Sequence, residues 1–280
     1  MRGIIDPSRA VRSIAVISDT HIGSPFAPWP DEEIWTAEGN NISNLRNGGQ
    51  LDMLSSWKDF IHVCEEFNVD TIIHLGDATQ GTNPKEGGKS TLTPDLEYQK
   101  DAAEVMLRPL VTDRIYHQLS GTLYHESRDV KIHRDLVKRL SGDAKEANFH
   151  GPIANLRMVP TKKVFNLAHA ATSALIYPST VLDREGVFLR YGYARDKLPK
   201  VDVMIRGHLH YYMHLDYPDL HILQCPAWQA WYPLRDKVRL YGKMQPDIGG
   251  LIILIDEHSR MVPLHFLYPV PKIVDFLKDG

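Results

Sequence analysis

Val201-Asp202-Val203-Met204-Ile205 runs directly into Arg206-Gly207-His208-Leu209-His210. The first five residues are mostly apolar and β-forming, and they read as a buried strand. A glycine then lets the chain turn, and two imidazoles one residue apart stand on the loop. A lone Gly-x-His-x-His is weak evidence of a metal site. Its weight depends on what the other strands deliver.

Other runs end in the same way. Ser13-Ile14-Ala15-Val16-Ile17-Ser18 leads into Asp19-Thr20-His21, and Asp70-Thr71-Ile72-Ile73-His74-Leu75 leads into Gly76-Asp77. Lys163 to Leu167 leads into Ala168-His169-Ala170, and Arg114 to Leu119 into Ser120-Gly121-Thr122-Leu123-Tyr124-His125-Glu126. Between them, Leu51, Leu54, Trp57, Phe60, Ile61, Cys64 and Phe67 recur at helical spacing. Further helices are predicted from Pro94-Asp95 to about Leu110, from Ser127 to Leu140, and from Ser179, read as an N-cap, to Arg195. Ile153–Met158 reads as a partner strand for Lys163–Leu167, and later strands are expected at Leu220–Gln224, Gly250–Asp256 and Met261–Leu267. Strand-helix alternation followed by consecutive strands predicts an α/β sandwich with mixed sheets. The segments at about 23–50 and 78–94 carry glycine and proline without sustained periodicity. They are expected to be long loops or lids inserted into one domain spanning 1–280.

The bulk numbers describe an ordinary globular protein. The chain has 280 residues, 43% of them hydrophobic and 24% charged, and a net charge of -3, so no global basic field holds nucleic acid. Two cysteines, Cys64 and Cys225, have no metal-type spacing and suggest a reducing compartment. The longest apolar run, Leu251 to Ile255, is strand-sized, so no membrane span is expected and a cytoplasmic location is.

Ligands at the carboxyl ends of strands in an α/β fold converge on one crevice. Asp19, His21, Asp77, His169, His208 and His210 are more ligands than one ion with an open position needs. They suit two divalent ions about 3.5–4 Å apart, bridged by a carboxylate. Mixed nitrogen and oxygen donors fit Mn, Fe, Zn or Ni, with Mn2+ the first choice. Such a pair lowers the pKa of a shared water, makes hydroxide available near neutral pH, and neutralises the phosphate oxygens that would repel it.

In this order, Asp19-x-His21, Gly76-Asp77, Gly121…His125-Glu126, His169 and Gly207-His208-x-His210 resemble the calcineurin-like metallophosphoesterase superfamily, over residues 13 to 210. The resemblance implies a four-layer αββα sandwich with two mixed β-sheets and a dinuclear site. It implies Asp19, His21 and His210 on one ion, His169 and His208 on the other, and Asp77 between them. It also implies a hydrolase acting on a phosphate ester. The third motif departs from the family's Gly-Asn-His followed by Asp or Glu, where Asn binds the second ion and His assists the leaving group. Here it reads Gly-Thr-Leu-Tyr-His-Glu, closer to a Gly-Thr-x-x-His variant resembling that of phage-type members. Either Thr122 takes the Asn position and His125 is the catalytic acid, or His125 is itself a ligand.

Bland readings stand beside these. His74, inside a strand, is expected to be a hydrogen-bonded core residue. His117, His133, His150, His214, His221, His258 and His265 have no partnering motif and are expected to be structural or solvent-facing. Glu126 is a candidate to orient His125. The helix carrying Arg128, Lys131, Arg134, Lys138 and Arg139 can hold a polyanion or be a solvated basic face. The aromatic stretch Pro226 to Tyr232 can stack a base or an aryl leaving group, or pack against the sheet edge or a dimer partner. Together these two features favour a phosphodiester, nucleic acid or nucleotide included, over a phosphomonoester. The rival class is a non-catalytic metal-binding scaffold, favoured by the missing Asn. Oligomeric state is not legible.

Overall fold

The structure is a computed structural model that describes residues 5–82, 90–126, 131–169, 177–230 and 245–277. Its frame is set by central strands, of which Thr71–His74, Val203–Arg206 and Ile248–Asp256 are buried along their whole length, flanked by half-exposed edges. β1 (Ala10–Ile17), β2 (Thr71–His74), β3 (Ile115–Gln118) and β4 (Glu146–Phe149) run parallel and in sequence order. The late strands extend the other side of this sheet antiparallel, giving the order β11-β10-β1-β2-β3-β4, with β10 at Ile248–Asp256 and β11 at Met261–Tyr268. A second sheet has the order β5-β6-β7-β9-β8. It comprises β5 (Ile153–Met158), β6 (Lys163–Ala168), β7 (Val203–Arg206), β8 (Met213–Asp216) and β9 (His221–Gln224). β6, β7 and β9 are parallel, and β5 and β8 are antiparallel edges.

The sheets face each other across a dry layer of Ile14, Val16, Ile73, Phe165, Leu167, Val203, Ile205, Leu223, Leu251 and Ile253. Alternate residues of the first sheet, among them Ala15, Ile17, Ile72 and Tyr116, pack outward beneath α1 (Gly48–Glu66), α2 (Leu96–Val111) and α4 (Lys131–Leu140). Leu182 of α5 (Pro178–Ala194) covers Met204 and Ile222 on the far face of the second sheet. The four layers are therefore helix, sheet, sheet, helix. Burial on both faces explains why these strands read as continuous apolar runs rather than alternating ones.

The structure corrects several details. The 23–50 segment is largely the expected long loop, up to the start of α1 at Gly48, but it is packed rather than a lid: Trp29 is fully buried, and Phe26, Ile34 and Ile42 join the same outer core. The Trp29 indole donates to Ser43 Oγ, and Gln50 Nε2 donates to the carbonyls of Ser24 and Ala27. Asn47 and Gln50 form a capping box that starts α1 before Leu51. Asp95 rather than Pro94 opens α2, and Tyr177 rather than Ser179 precedes α5. The strands β4 and β8 and a C-terminal helix, Ile273–Leu277, were not anticipated. Of the expected helix at 127–140 only Lys131–Leu140 lies within the described residues, preceded by a short α3 (Leu123–Glu126). Arg128, Ala170, Trp231, Tyr232 and residues 83–89 of the second insertion lie outside them. Among the described residues no helix is long and apolar enough to cross a membrane.

Candidate metal centre

Each predicted residue stands just beyond the carboxyl end of a parallel strand: Asp19 and His21 after β1, Asp77 after β2, His125 after β3, His169 after β6, and His208 and His210 after β7. The backbone there is unusual. Asp19, His21, Asp77, His208 and His210 all have positive φ, at 53°, 41°, 53°, 72° and 55°. A left-handed conformation costs a non-glycine residue about 1–2 kcal/mol. Cross-loop bonds hold it: Asp19 N–H to Gly76 O at 3.0 Å, His21 N–H to Asp77 O at 3.0 Å, and Gly207 N–H to His169 O at 2.9 Å. Two glycines admit this closeness. A Cβ at Gly207 would lie 2.2 Å from Ser18 Oγ, and one at Gly121 would lie 2.0 Å from Asp77 Oδ1.

The two carboxylates are completely enclosed, and every ion pair either makes among the described residues is with a histidine. One oxygen of Asp19 is spoken for: Oδ2 accepts from Ser18 Oγ at 2.5 Å and from His208 N–H at 2.8 Å. The other, Oδ1, faces His210 Nε2 at 3.3 Å, His21 Nε2 at 3.6 Å and His169 Nε2 at 3.7 Å. Asp77 divides its oxygens likewise. Oδ1 accepts from Thr122 N–H at 2.7 Å, and Oδ2 lies 2.9 Å from His169 Nε2. Asp19 Oδ1 and both ring nitrogens of His21 are buried without a hydrogen-bond partner, which the fold tolerates only if something else satisfies them.

Electrostatics point the same way. Burial pushes His21 down to about 4, with His125 adding to the effect, and burial also lowers His208. Burial alone would raise both aspartates, yet the surrounding imidazoles hold each well below the usual carboxylate range, His169 foremost. Ionised carboxylates beside His21 and His208, whose burial favours the neutral ring, with no Lys or Arg paired to either carboxylate among the described residues, form a donor set for cations. The donors of Asp19, His21 and His210 lie within 4.8 Å of one another, as do those of Asp19, Asp77, His169 and His208, and those of His21, Asp77 and His125. The residues present therefore fit divalent metal ions. His125 groups with His21, not with His169 and His208.

Several supporting residues were not legible. His125 Nδ1 lies 2.6 Å from Gln80 O. A carbonyl cannot donate, so Nδ1 carries a hydrogen and Nε2 is the ring nitrogen left for the cluster. Buried His133 accepts from Ala78 N–H at 2.9 Å, beside Asp77, and Gln224 Nε2 donates to Gly207 O at 2.6 Å. His74 is a core residue, as expected. Thr20 Oγ1 donates to Ala78 O, so His74 Nε2 donates to Thr20 while Nδ1 accepts from Gly76 N–H. That neutral ring agrees with burial lowering its pKa to about 3.

Four layers, two mixed sheets and a nest of carboxylates and imidazoles at the strand ends are now in view. The fold is a four-layer αββα sandwich with two mixed sheets, as the sequence led us to expect. No known family profile matches the chain, and no curated protein sequence is similar to it. Solved structures are similar in shape. An archaeal phosphodiesterase is 13% identical, with 91% of this chain and 99% of that one covered and a TM-score of 0.45. A dimetal phosphatase from Danio rerio is 11% identical, with 93% and 100% covered and a TM-score of 0.47. Wild-type Vps29 from Entamoeba histolytica, complexed with zinc, is 13% identical, with 91% and 98% covered and a TM-score of 0.41. Likeness at this level carries no argument about activity.

Proposed function

We propose that the chain is a metal-dependent phosphoesterase. The observation that carries this reading is the pair of enclosed carboxylates, Asp19 and Asp77, ringed by His21, His169, His208 and His210 with only histidines as ionic partners among the described residues. Asp19, His21 and His210 would hold one divalent ion, His169 and His208 a second, and Asp77 would lie between them. Bound there, such ions supply Lewis acidity toward water and charge neutralisation toward phosphate oxygens. Ser18 and the His208 amide fix the Asp19 carboxylate, and the Thr122 amide fixes that of Asp77. Thr122 thus acts on Asp77 as a hydrogen-bond donor, and His125 is the group left to handle a proton. With Nδ1–H held by the Gln80 carbonyl, His125 would act from Nε2, which when protonated gives its proton to the leaving oxygen and then regains one from water.

The features that favoured nucleic acid are weaker as surface features. Trp228 is buried against Trp57 and Phe60. Arg139 pairs with Asp101, Glu97 and Glu104, and Lys138 with Asp135. The reading is therefore a phosphoesterase, with monoester or diester decided by assay. Chelator-stripped protein is reloaded with Mn2+ and given bis-p-nitrophenyl phosphate, p-nitrophenyl phosphate and single-stranded DNA, with Asp77→Asn as control. Turnover of an ester that Asp77→Asn lacks is the expected result. Bound metal without turnover of any ester refutes the enzyme reading and leaves the scaffold. His125→Asn should lose far more activity on an alkyl ester than on a p-nitrophenyl ester, whose leaving group needs no proton. Two ions per chain by elemental analysis is the expected count at the site.

A further inference from the structure

The histidines set aside for want of a motif include a pair that the fold brings together. His214 and Asp216 lie on β8, and His221 lies on β9. The sequence hides this, because seven residues and a turn separate His214 from His221. In the antiparallel ladder Asp216 stands directly opposite His221, and His214 is opposite Leu223. Side chains two apart on a strand share a face, so all three project to the same side of the β8–β9 hairpin. His214 Nε2 is 3.0 Å from His221 Nδ1, and Asp216 Oδ1 is 3.4 Å from the same nitrogen. The three donors lie within 4.8 Å of one another.

These spacings match a known coordination geometry. Ligand atoms on a tetrahedral ion with bonds of 2.0–2.1 Å stand about 3.3 Å apart. Two imidazole nitrogens and one carboxylate oxygen are the donors zinc and its neighbours take, and three protein ligands leave a fourth position for water. The cluster lies outside the metal centre. His221 begins β9, whereas Gln224, at the other end of that strand, is the residue that touches the Gly207 loop. Both histidines are only partly exposed, and His221 shows 16% of its side chain, so the site is open to ions but seated in the hairpin.

We propose that His214, Asp216 and His221 form a separate binding site for a zinc-class divalent ion. An ion there would tie the edge strand β8 to β9 beside the turn in which Tyr217 N–H bonds to Leu220 O at 3.1 Å. The claim does not depend on the phosphoesterase reading, because it concerns other residues and a different readout.

The test compares the full-length wild type with His214→Ala/His221→Ala. Both are dialysed against buffered zinc at low micromolar free concentration and analysed for bound metal. The wild type should hold one more ion per chain, with ester turnover the same in both. Equal counts, or a difference that emerges only at millimolar free zinc, overturn the proposal. His221→Cys keeps a ligand, guards against a folding artefact and supplies a positive signal. Loaded with Co2+, it should show a thiolate-to-cobalt charge-transfer band absent from the wild type. No such band in a folded His221→Cys chain also overturns the proposal.

Discussion

Gly121→Ala is the substitution whose outcome the geometry constrains most tightly. An added Cβ would stand 2.0 Å from Asp77 Oδ1 and 2.3 Å from Asp77 N. A carbon needs about 3.3 Å from an oxygen, so one side must give by more than 1 Å. Asp77 is 1% exposed and cannot swing into solvent. Overpacking of this kind costs about 1–3 kcal/mol. Loosening the 2.7 Å bond from Thr122 N–H to the Asp77 carboxylate adds about 1.5–3 kcal/mol. We expect about 3–6 kcal/mol in total, a fall in Tm of roughly 6–24 °C for a domain near this size. A displacement of about 1 Å in a reacting group costs on the order of 100-fold in rate, so ester turnover should fall by that factor even where the protein is folded. Urea denaturation and turnover are measured beside Gly142→Ala, whose Cβ meets nothing within 4 Å. Should Gly121→Ala unfold within about 0.5 kcal/mol of wild type and turn over at the wild-type rate, the crowding at Asp77 is wrong.

Adding Mn2+ at about 100 times its Kd should stabilise the wild type by about 2.7 kcal/mol per ion, and thermal melts with and without ion should show Asp77→Asn losing most of this. Trp29→Ala should cost about 3–5 kcal/mol in urea, because the 23–50 segment is part of the core; a loss under about 1 kcal/mol would restore the lid. Burial lowers His74 to about 3 and, with His150 adding to it, His117 to about 4, against about 6.5 in the unfolded chain. The unfolded state therefore binds protons first. Stability present above pH 6.5 should decline as pH falls toward 4, read as urea midpoints in chelator, and a midpoint that is flat or rises on acidification would contradict the buried neutral rings.

The sequence made the strands and the candidate metal ligands legible for one reason. Strands buried on both faces leave apolar runs, and each run here ends in a polar cluster. Asp19, His21, Asp77, His169, His208 and His210 could thus be named from strand ends alone, and the structure brings their side chains together. β4 and β8 escaped because Glu146-Ala147-Asn148-Phe149 and Met213-His214-Leu215-Asp216 are sheet-edge strands with half-exposed, mixed composition. The residues that hold the site were illegible for another reason. Gln80 acts through its backbone carbonyl, and His133 and Gln224 act across long sequence separations on backbone groups. No local pattern encodes such contacts. The packed reading of the aromatic stretch holds at Trp228, which inserts under α1 against Trp57.

The left-handed backbone at Asp19, His21, Asp77, His208 and His210 bears on how this chain is free to drift. Glycine adopts that conformation without penalty, and asparagine does so more readily than most residues. Folding by itself would therefore favour glycine at all five positions. Aspartate and histidine, like asparagine, tolerate that region better than most side chains, so they stand there at less cost than a β-branched or bulky residue would. A lineage released from its chemistry would relax these positions early, while the apolar strands beneath them stayed fixed. Glycine at any of the five would therefore be expected to leave the backbone intact while removing a carboxylate or imidazole from the cluster.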